Sequence, residues 1–208
     1  MRLAKVISYL THPILITTAL LVYVLFQKSS YIYYNITPSG RLIFISISVV
    51  LTILAPLLSV GYLVYQKQVE NFYLDKRGER ILPMAIAVTY TFGLYYFLQL
   101  FNLPKPVLAT VGVSVVGVAF TLLITLFWKI SAHMMGVSGF TAVVLALSHI
   151  LTPTSPHFIL GLFMLSGFVG TARLIQNSHT LEQIIAGWAL GFIVSYLSMY
   201  WLMDALPF

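Results

Sequence analysis

Long stretches without a charged residue constrain the fold of this chain more than any other feature of its sequence. An α-helix needs about 20 consecutive apolar residues to cross a bilayer, whereas a strand of a membrane barrel needs only about 10 residues in alternation. Five uncharged stretches have the helical length, at 22, 25, 24, 23 and 21 residues: 6–27, 42–66, 81–104, 106–128 and 183–203. These lengths predict five transmembrane helices.

A sixth uncharged stretch, 130–172, is 43 residues long and exceeds the length of one crossing. Its middle reads Thr152-Pro153-Thr154-Ser155-Pro156-His157, which is typical of a turn because proline interrupts helices. We therefore predict two helices joined by a hairpin there, and seven spans in all. The predicted spans are 7–26, 42–65, 83–101, 106–129, 134–151, 157–174 and 181–203.

Composition excludes the other broad classes of protein. The 208 residues include 11 Lys and Arg and 5 Asp and Glu, 60% of the chain is hydrophobic, and the mean hydropathy is +0.96. A soluble domain is about 25% charged, so a water-soluble enzyme and a disordered protein are both excluded. We predict one all-α domain over 1–208, a polytopic transmembrane helix bundle. The lack of cysteine excludes disulfides, thiolate metal sites and cysteine nucleophiles.

Counting the crossings assigns each connection to one side of the membrane. The N-terminus shares one face, here called the motif face, with the connections 66–82, 129–134 and 174–181. Eight Lys and Arg residues lie on the motif face: Arg2, Lys5, Lys67, Lys76, Arg77, Arg80, Lys129 and Arg173. The opposite face carries three: Lys28, Arg41 and Lys105. The positive-inside rule then predicts a cytoplasmic motif face.

Three polar clusters interrupt the apolar pattern, and all three belong to the motif face. They lie at 75–83, 129–133 and 173–183. In the first cluster, Lys76 and Arg80 are four residues apart and would share one side of a helical turn. The second cluster contains His133, and the third contains Arg173 and His179. Polar residues at such positions in a membrane protein indicate a functional site.

The residue types in these clusters suit phosphate chemistry. Lys and Arg side chains hold phosphate oxygens through charge-assisted hydrogen bonds, and an imidazole transfers protons or attacks phosphorus near neutral pH. Metal binding has little support, because two histidines and one carboxylate are a thin ligand set. Another histidine, His12, lies within an apolar run and is interpreted as a hydrogen-bonded bundle residue.

The clusters resemble the three motifs of the type 2 phosphatidic acid phosphatases, also called PAP2 or lipid phosphate phosphatases. Those motifs are K-x6-RP, PSGH and SR-x5-H-x3-D. The third is similar to Ala172-Arg173, five residues, His179, three residues and Gln183, and the second to Ile130-Ser131-Ala132-His133. The first is similar to Lys76, Arg80 and Pro83, with the arginine displaced. The resemblance covers about 76–191 and leaves out the first two spans.

The resemblance implies a metal-independent phosphatase that acts on a phosphorylated membrane lipid and uses no cofactor. It makes His179 the nucleophile, which forms a phosphohistidine, and His133 the general acid, which protonates the leaving lipid alkoxide. Five residues are implied to bind the phosphate: Lys76, Arg80, Lys129, Ser131 and Arg173. The expected partners are the bilayer and an isoprenoid or glycerophospholipid phosphate, with no nucleic acid.

The main departure from the family pattern is Gln183, which occupies the position of the aspartate that orients the nucleophilic histidine. Replacing such a carboxylate by its amide lowers the rate by about 10⁴ in a catalytic triad. Two alternatives restore orientation: Glu182, which lies on nearly the same side of the helix, or the Gln183 carbonyl itself. Thr180-Leu181-Glu182-Gln183 also fits a capping box, which alone explains a glutamine there.

The sequence is therefore compatible with two functions. One is a lipid phosphatase, and the other is a catalytically weakened relative that binds a lipid phosphate or assists a partner without hydrolysis. A prenyltransferase is disfavoured, because such enzymes need paired aspartate motifs for magnesium diphosphate and this chain has only Asp75 and Asp204.

Overall fold

The computed structural model describes residues 1–28, 30–72, 74 and 76–206, so Asp75 of the first cluster lies outside it. Within that part the protein is all-helical, and seven helical segments are long and apolar enough to cross a membrane. They are Arg2–Phe26, Pro38–Tyr65, Gly78–Gln99, Lys105–Phe127, Ala132–Ile150, Pro156–Ile175 and Leu181–Ala205. The prediction of seven spans is confirmed, and the boundaries differ from the predicted ones by up to five residues.

The α-helices within the described residues are numbered in chain order. They are α1 (Arg2–Leu10), α2 (Ile16–Phe26), α3 (Tyr31–Asn35), α4 (Pro38–Val49), α5 (Ala55–Tyr65), α6 (Ile81–Gln99), α7 (Lys105–Phe127), α8 (Ala132–Ile150), α9 (Pro156–Ile175) and α10 (Leu181–Ala205). Several have a proline in the first turn, where a backbone N–H would have no partner within the helix, so its absence costs no hydrogen bond: Pro38, Pro106 and Pro156. The break between α8 and α9 is the predicted hairpin.

The first two spans are both interrupted, and the two interrupted segments contact each other. The first breaks after α1, where Pro13–Leu15 forms a 3₁₀ turn. The second contains the π-helical segment Val50–Leu54, followed by Pro56 in the first turn of α5. Proline and π-helical turns both bend a helix because they disturb its regular hydrogen bonds. The regular α-helix is therefore interrupted within each of these two spans.

These breaks give the two halves of each span different neighbours. Near the breaks the spans are held together by Thr18 of α2, whose hydroxyl is hydrogen-bonded to the hydroxyls of Ser48 (2.8 Å) and Thr52 (3.0 Å). Beyond the breaks, α1 packs against α9 while α5 packs against α6. The halves of the first two spans nearest the motif face therefore belong to different packing pairs, and a cavity lies between them.

The hydrophobic core fills the half of the bundle away from the motif face. Its fully buried side chains come from the end of α2, the end of α6, the start of α7 and the end of α8, and include Leu21, Leu25, Leu94, Leu98, Val107, Val111 and Leu147. A smaller cluster lies near the motif face and comprises Met134, Val137, Val169 and Ile184. Close packing therefore supports one end of the bundle, which leaves space at the other.

Helices α8 and α10 approach each other closely because both carry glycine at their contact. A Cβ added to Gly191 would lie 2.5 Å from the carbonyl oxygen and 2.7 Å from the Cα of Met135. A Cβ on Gly187 would lie 3.0 Å from the carbonyl oxygen of Ser131. Such contacts are typical of helix pairs in membranes, where small residues allow the backbones to meet. They hold the start of α8, with His133, against the start of α10.

Candidate functional site

A cavity of about 770 Å³ lies between the helices and reaches the motif face. Its polar end is lined by residues from several spans, including Arg80, His133, Arg173 and His179. Its other walls are mostly apolar, for example Leu20, Ile53, Leu57, Met84, Val113 and Met135. The structure therefore brings four of the predicted site residues together on one cavity, and the same cavity extends among apolar side chains.

Arg80 supplies the first cation of this site. It ends the 3₁₀ turn Gly78–Arg80 that leads into α6, and only 7% of its surface is exposed. Its Nε donates a hydrogen bond to the carbonyl oxygen of Leu74, at 2.7 Å. This bond to the preceding connection fixes the guanidinium at the polar end of the cavity, where a buried positive charge attracts an anion.

Arg173 supplies the second cation from the last turn of α9. One of its terminal nitrogens donates to the hydroxyl of Ser8 in α1, at 3.4 Å. Gln176 donates to the same hydroxyl at 2.8 Å and to the carbonyl oxygen of Ala4 at 2.9 Å. Helix α1 is thus tied to the end of α9 by polar contacts, and Ser8 helps to position Arg173.

His179 lies in the short connection between α9 and α10 and is 8% exposed. Its Nδ1 is 2.9 Å from Oε1 of Gln183, and the backbone N–H of Thr180 donates to the same oxygen at 3.3 Å. A backbone N–H only donates, so the atom of Gln183 that it meets is the carbonyl oxygen. Nδ1 of His179 therefore carries the proton, and Nε2 of the neutral ring has a free lone pair.

The electrostatic surroundings keep His179 neutral. Burial lowers the pKa of His179 to about 4, and the positive charges of Arg80, Arg173 and Lys129 act in the same direction. The hydrogen bond to Gln183 opposes these effects, because it favours the protonated ring. At pH 7 the imidazole is neutral, which is the form that can attack phosphorus.

Gln183 combines the two roles considered from the sequence. Its backbone N–H donates to the hydroxyl of Thr180, at 3.4 Å, and its side chain accepts from Thr180 N–H, which completes the capping box of α10. The same side-chain oxygen also accepts from His179. Glu182, the other residue considered as an orienting group, is exposed. The geometry therefore favours the glutamine carbonyl as the group that orients His179.

His133 lines the same cavity as His179 and lies in the first turn of α8. Its Nε2 donates to the carbonyl oxygen of Ser8, at 3.1 Å, since a carbonyl only accepts. Ser131 precedes it as the N-cap of α8, accepting from the N–H of Met134 at 3.4 Å. Ser131 is fully buried, its hydroxyl caps the start of α8, and it is not among the residues that line the cavity.

The two predicted lysines differ in their relation to the site. Lys76 is exposed and forms an ion pair with Glu70; this hydrogen bond and charge raise the pKa of Lys76. Its ammonium is thus engaged on the surface. Lys129, in the second cluster, is half-buried, and its charge contributes to the lowered pKa of His179 in the third cluster.

The first span adds residues that the sequence did not assign to the site. Ser8 and His12 both line the cavity, as does Lys5. The ring of His12 meets that of His133 edge to face, with centroids 5.3 Å apart. The available signal was the crossing count, which places the N-terminus on the motif face; the resemblance, which begins at about residue 76, gave no reason to include it.

Metal ligands are sparse in the described part of the chain, where no group of three or more His, Cys, Asp or Glu side chains could hold a metal ion. Among the described residues the cavity lining includes six cationic or imidazole side chains, which suit an anion: Lys5, His12, Arg80, His133, Arg173 and His179. The resemblance to PAP2 phosphatases rests on the three clusters alone, because the chain matches no family model, no curated protein and no solved structure.

Proposed function

We propose that this protein is an integral-membrane phosphatase that hydrolyses a phosphorylated lipid through a phosphohistidine on His179. The observation that carries the proposal is the cavity, which joins two arginines and two histidines at the motif face to apolar walls inside the bundle. A lipid phosphate has the same division, with an anionic head and an apolar chain. The charge bias of the motif face favours a site on the cytoplasmic side.

The tautomer of His179 supports a nucleophilic role. Its Nδ1–H is held by Gln183, so the Nε2 lone pair is available for attack. Attack forms the N–P bond, breaks the bond between phosphorus and the lipid oxygen, and leaves the lipid as an alkoxide that takes up a proton. Water then cleaves the N–P bond, so that a lipid phosphate and water give a lipid alcohol and inorganic phosphate.

Arg80 and Arg173 are proposed to stabilise the charge on the phosphoryl oxygens as the bonds change. Positive groups that are already in place at a developing negative charge lower the barrier without further reorganisation. Lys129 adds to the positive potential, as its effect on the pKa of His179 indicates. Arg80 is held by Leu74 and Arg173 by Ser8, so both guanidinium groups are positioned before a ligand binds.

His133 is proposed to protonate the leaving oxygen. As an imidazolium the ring carries a second proton on Nδ1, which passes to the lipid oxygen and leaves a neutral ring, while Nε2–H stays bound to the Ser8 carbonyl oxygen. Helix α1 therefore takes part in the proposed proton transfer through Ser8.

A second candidate is a protein that binds a lipid phosphate without hydrolysing it. The observation that favours it is Gln183, because a neutral amide orients His179 but does not stabilise the imidazolium as a carboxylate would. The binding residues serve both candidates equally.

Phosphate release from detergent-solubilised protein, with a chelator present, distinguishes the two candidates. The substrates are an isoprenoid monophosphate, an isoprenoid diphosphate, phosphatidic acid and phosphatidylglycerol phosphate. We expect release from at least one of them and an acid-labile phosphate trapped on the wild type. His179→Asn should abolish both, whereas His157→Asn, at an exposed position at the start of α9, should change neither. Binding without release by the wild type would favour the second candidate, and neither binding nor release would refute both.

A further inference from the structure

We propose that His12 is a third histidine of this site and that it binds the anionic head of the ligand through its Nε2–H. This inference rests on the proposed binding of a lipid phosphate. It extends the site to the first span, which lies outside the part of the chain that resembles the phosphatases.

The position of His12 carries the first step. It lies at the break between α1 and α2, where Pro13 starts the 3₁₀ turn, and its ring lines the same cavity as Arg80, Arg173 and His179. Its ring centroid is 5.3 Å from that of His133, with the planes at 83°. An unbroken helix would continue past this residue, so the break itself brings the imidazole to the polar end of the cavity.

The hydrogen bonds of His12 determine which nitrogen carries its proton. The backbone N–H of Ile14 donates to Nδ1 of His12, at 3.3 Å, so this nitrogen is unprotonated in the neutral ring. The proton is therefore on Nε2, and the ring presents a donor. His133, whose Nε2–H is bound to Ser8, and His179, whose Nδ1–H is bound to Gln183, already direct those protons to protein acceptors. Of the three rings, His12 is the one whose N–H is not directed to a protein acceptor by these hydrogen bonds.

The first span is also fixed to the site, which keeps His12 in place. Ser8, one turn earlier, accepts from Arg173 and Gln176 through its hydroxyl and from His133 through its carbonyl oxygen. Two site residues thus depend on Ser8 for their orientation. A donor held on the same segment is positioned before the ligand arrives, which favours binding because little order has to be gained.

The test measures the affinity of detergent-solubilised protein for two probes, dioctanoylglycerol phosphate and inorganic phosphate. His12→Asn removes the imidazole but keeps a side-chain oxygen that caps the 3₁₀ turn. His149→Asn is the matched control, because His149 is exposed at the far end of α8. We expect His12→Asn to weaken the binding of both probes about tenfold to a hundredfold, as for a lost hydrogen bond to a charged group. The control should retain wild-type affinity.

A second measurement uses the wild type and so does not depend on a variant that folds. The ¹⁵N resonance of His12 Nε2 should shift when dioctanoylglycerol phosphate is added. Wild-type affinity in His12→Asn, or a resonance that does not move in protein that binds the probe, would overturn the role of His12 and leave the proposed function standing. If the wild type binds neither probe, this inference is wrong, and the proposed function stands or falls on phosphate release from the four substrates named above.

Discussion

Replacing Gln183 by glutamate tests the electrostatics of the site most directly. Glutamate has the length of glutamine, so a carboxylate oxygen can take the place of Oε1, 2.9 Å from Nδ1 of His179. It also fits the third position of a capping box, so the start of α10 should be preserved. The substitution therefore changes the charge beside the imidazole while keeping the two hydrogen bonds that the side-chain oxygen of residue 183 accepts, one from His179 and one from the backbone N–H of Thr180.

The expected size of the effect follows from the distance between the charges. A carboxylate and an imidazolium about 4 Å apart attract each other by about 4 kcal/mol at an effective dielectric constant of about 20, which corresponds to about three pKa units. This value is an upper limit, and about one to three units is the usual range for an adjacent opposite charge. The pKa of His179, which burial lowers to about 4, should therefore rise to between about 5 and 7.

An NMR titration of the His179 ring measures this shift, with the His179→Asn variant used to assign the resonance. Glu182→Gln is the control, because it removes a neighbouring exposed carboxylate and should move the pKa of His179 by less than about half a unit. In the phosphatase, phosphate release by Gln183→Glu should also increase, with about 10⁴ as the limit set by amide-for-carboxylate exchange in a triad. A His179 pKa that stays within about half a unit of its wild-type value would mean that residue 183 does not contact the imidazole.

Three further predictions address the cations, the cavity and the packing. Arg80→Gln should weaken lipid phosphate binding about tenfold to a hundredfold, whereas Lys76→Gln, at an exposed residue paired with Glu70, should change the affinity by less than about twofold. Equilibrium binding compares the two variants, and equal losses of affinity would contradict the assignment of Arg80 to the site. Ala87→Phe should fill the apolar part of the cavity and raise the KM or Kd for a lipid phosphate without changing the Kd for inorganic phosphate. An equal loss of affinity for both ligands would show that the new side chain acts outside the apolar part of the cavity. Gly191→Ala should destabilise the bundle by about 1–3 kcal/mol or more, because its Cβ would lie 2.5 Å from a backbone oxygen. Gly161→Ala, whose Cβ would have no atom within 4 Å, should leave the Tm nearly unchanged. Thermal unfolding in detergent compares the two variants, and equal Tm values would refute the close α8–α10 contact.

The seven spans could be predicted from the sequence because each span depends only on residues that are consecutive in the chain. Each crossing needs enough apolar residues to cover the hydrocarbon core, and hydrogen bonds within each helix satisfy its own backbone. The order of the crossings then places Arg80, His133, Arg173 and His179 on one face. The local sequence also predicts the capping box at Thr180, since its hydrogen bonds join residues three apart.

The sequence could not show which of two side chains in the same helical turn points toward the site. Lys76 and Arg80 are four residues apart, so their spacing assigns both to the same side of a helical turn. Glu182 and Gln183 follow His179 by three and four residues, so either of them satisfies the spacing for orienting that histidine. The tertiary structure separates them: a connection carbonyl holds Arg80 inward while Glu70 holds Lys76 at the surface, and the start of α10 directs Gln183 to His179. The start of the helix decides each case, because Lys76 lies before the 3₁₀ turn Gly78–Arg80 whereas Gln183 lies in the first turn of α10.

The contribution of the first span was decided by tertiary packing alone. Ser8 and His12 reach the site because the chain breaks at Pro13 and α1 packs on the end of α9, more than 150 residues further along the sequence. No spacing rule connects residues so far apart, since their contact depends on how two separate helices tilt. The sequence determined that this protein crosses the membrane and which charges share a face, whereas only the packing of bent helices determined which side chains meet in the cavity.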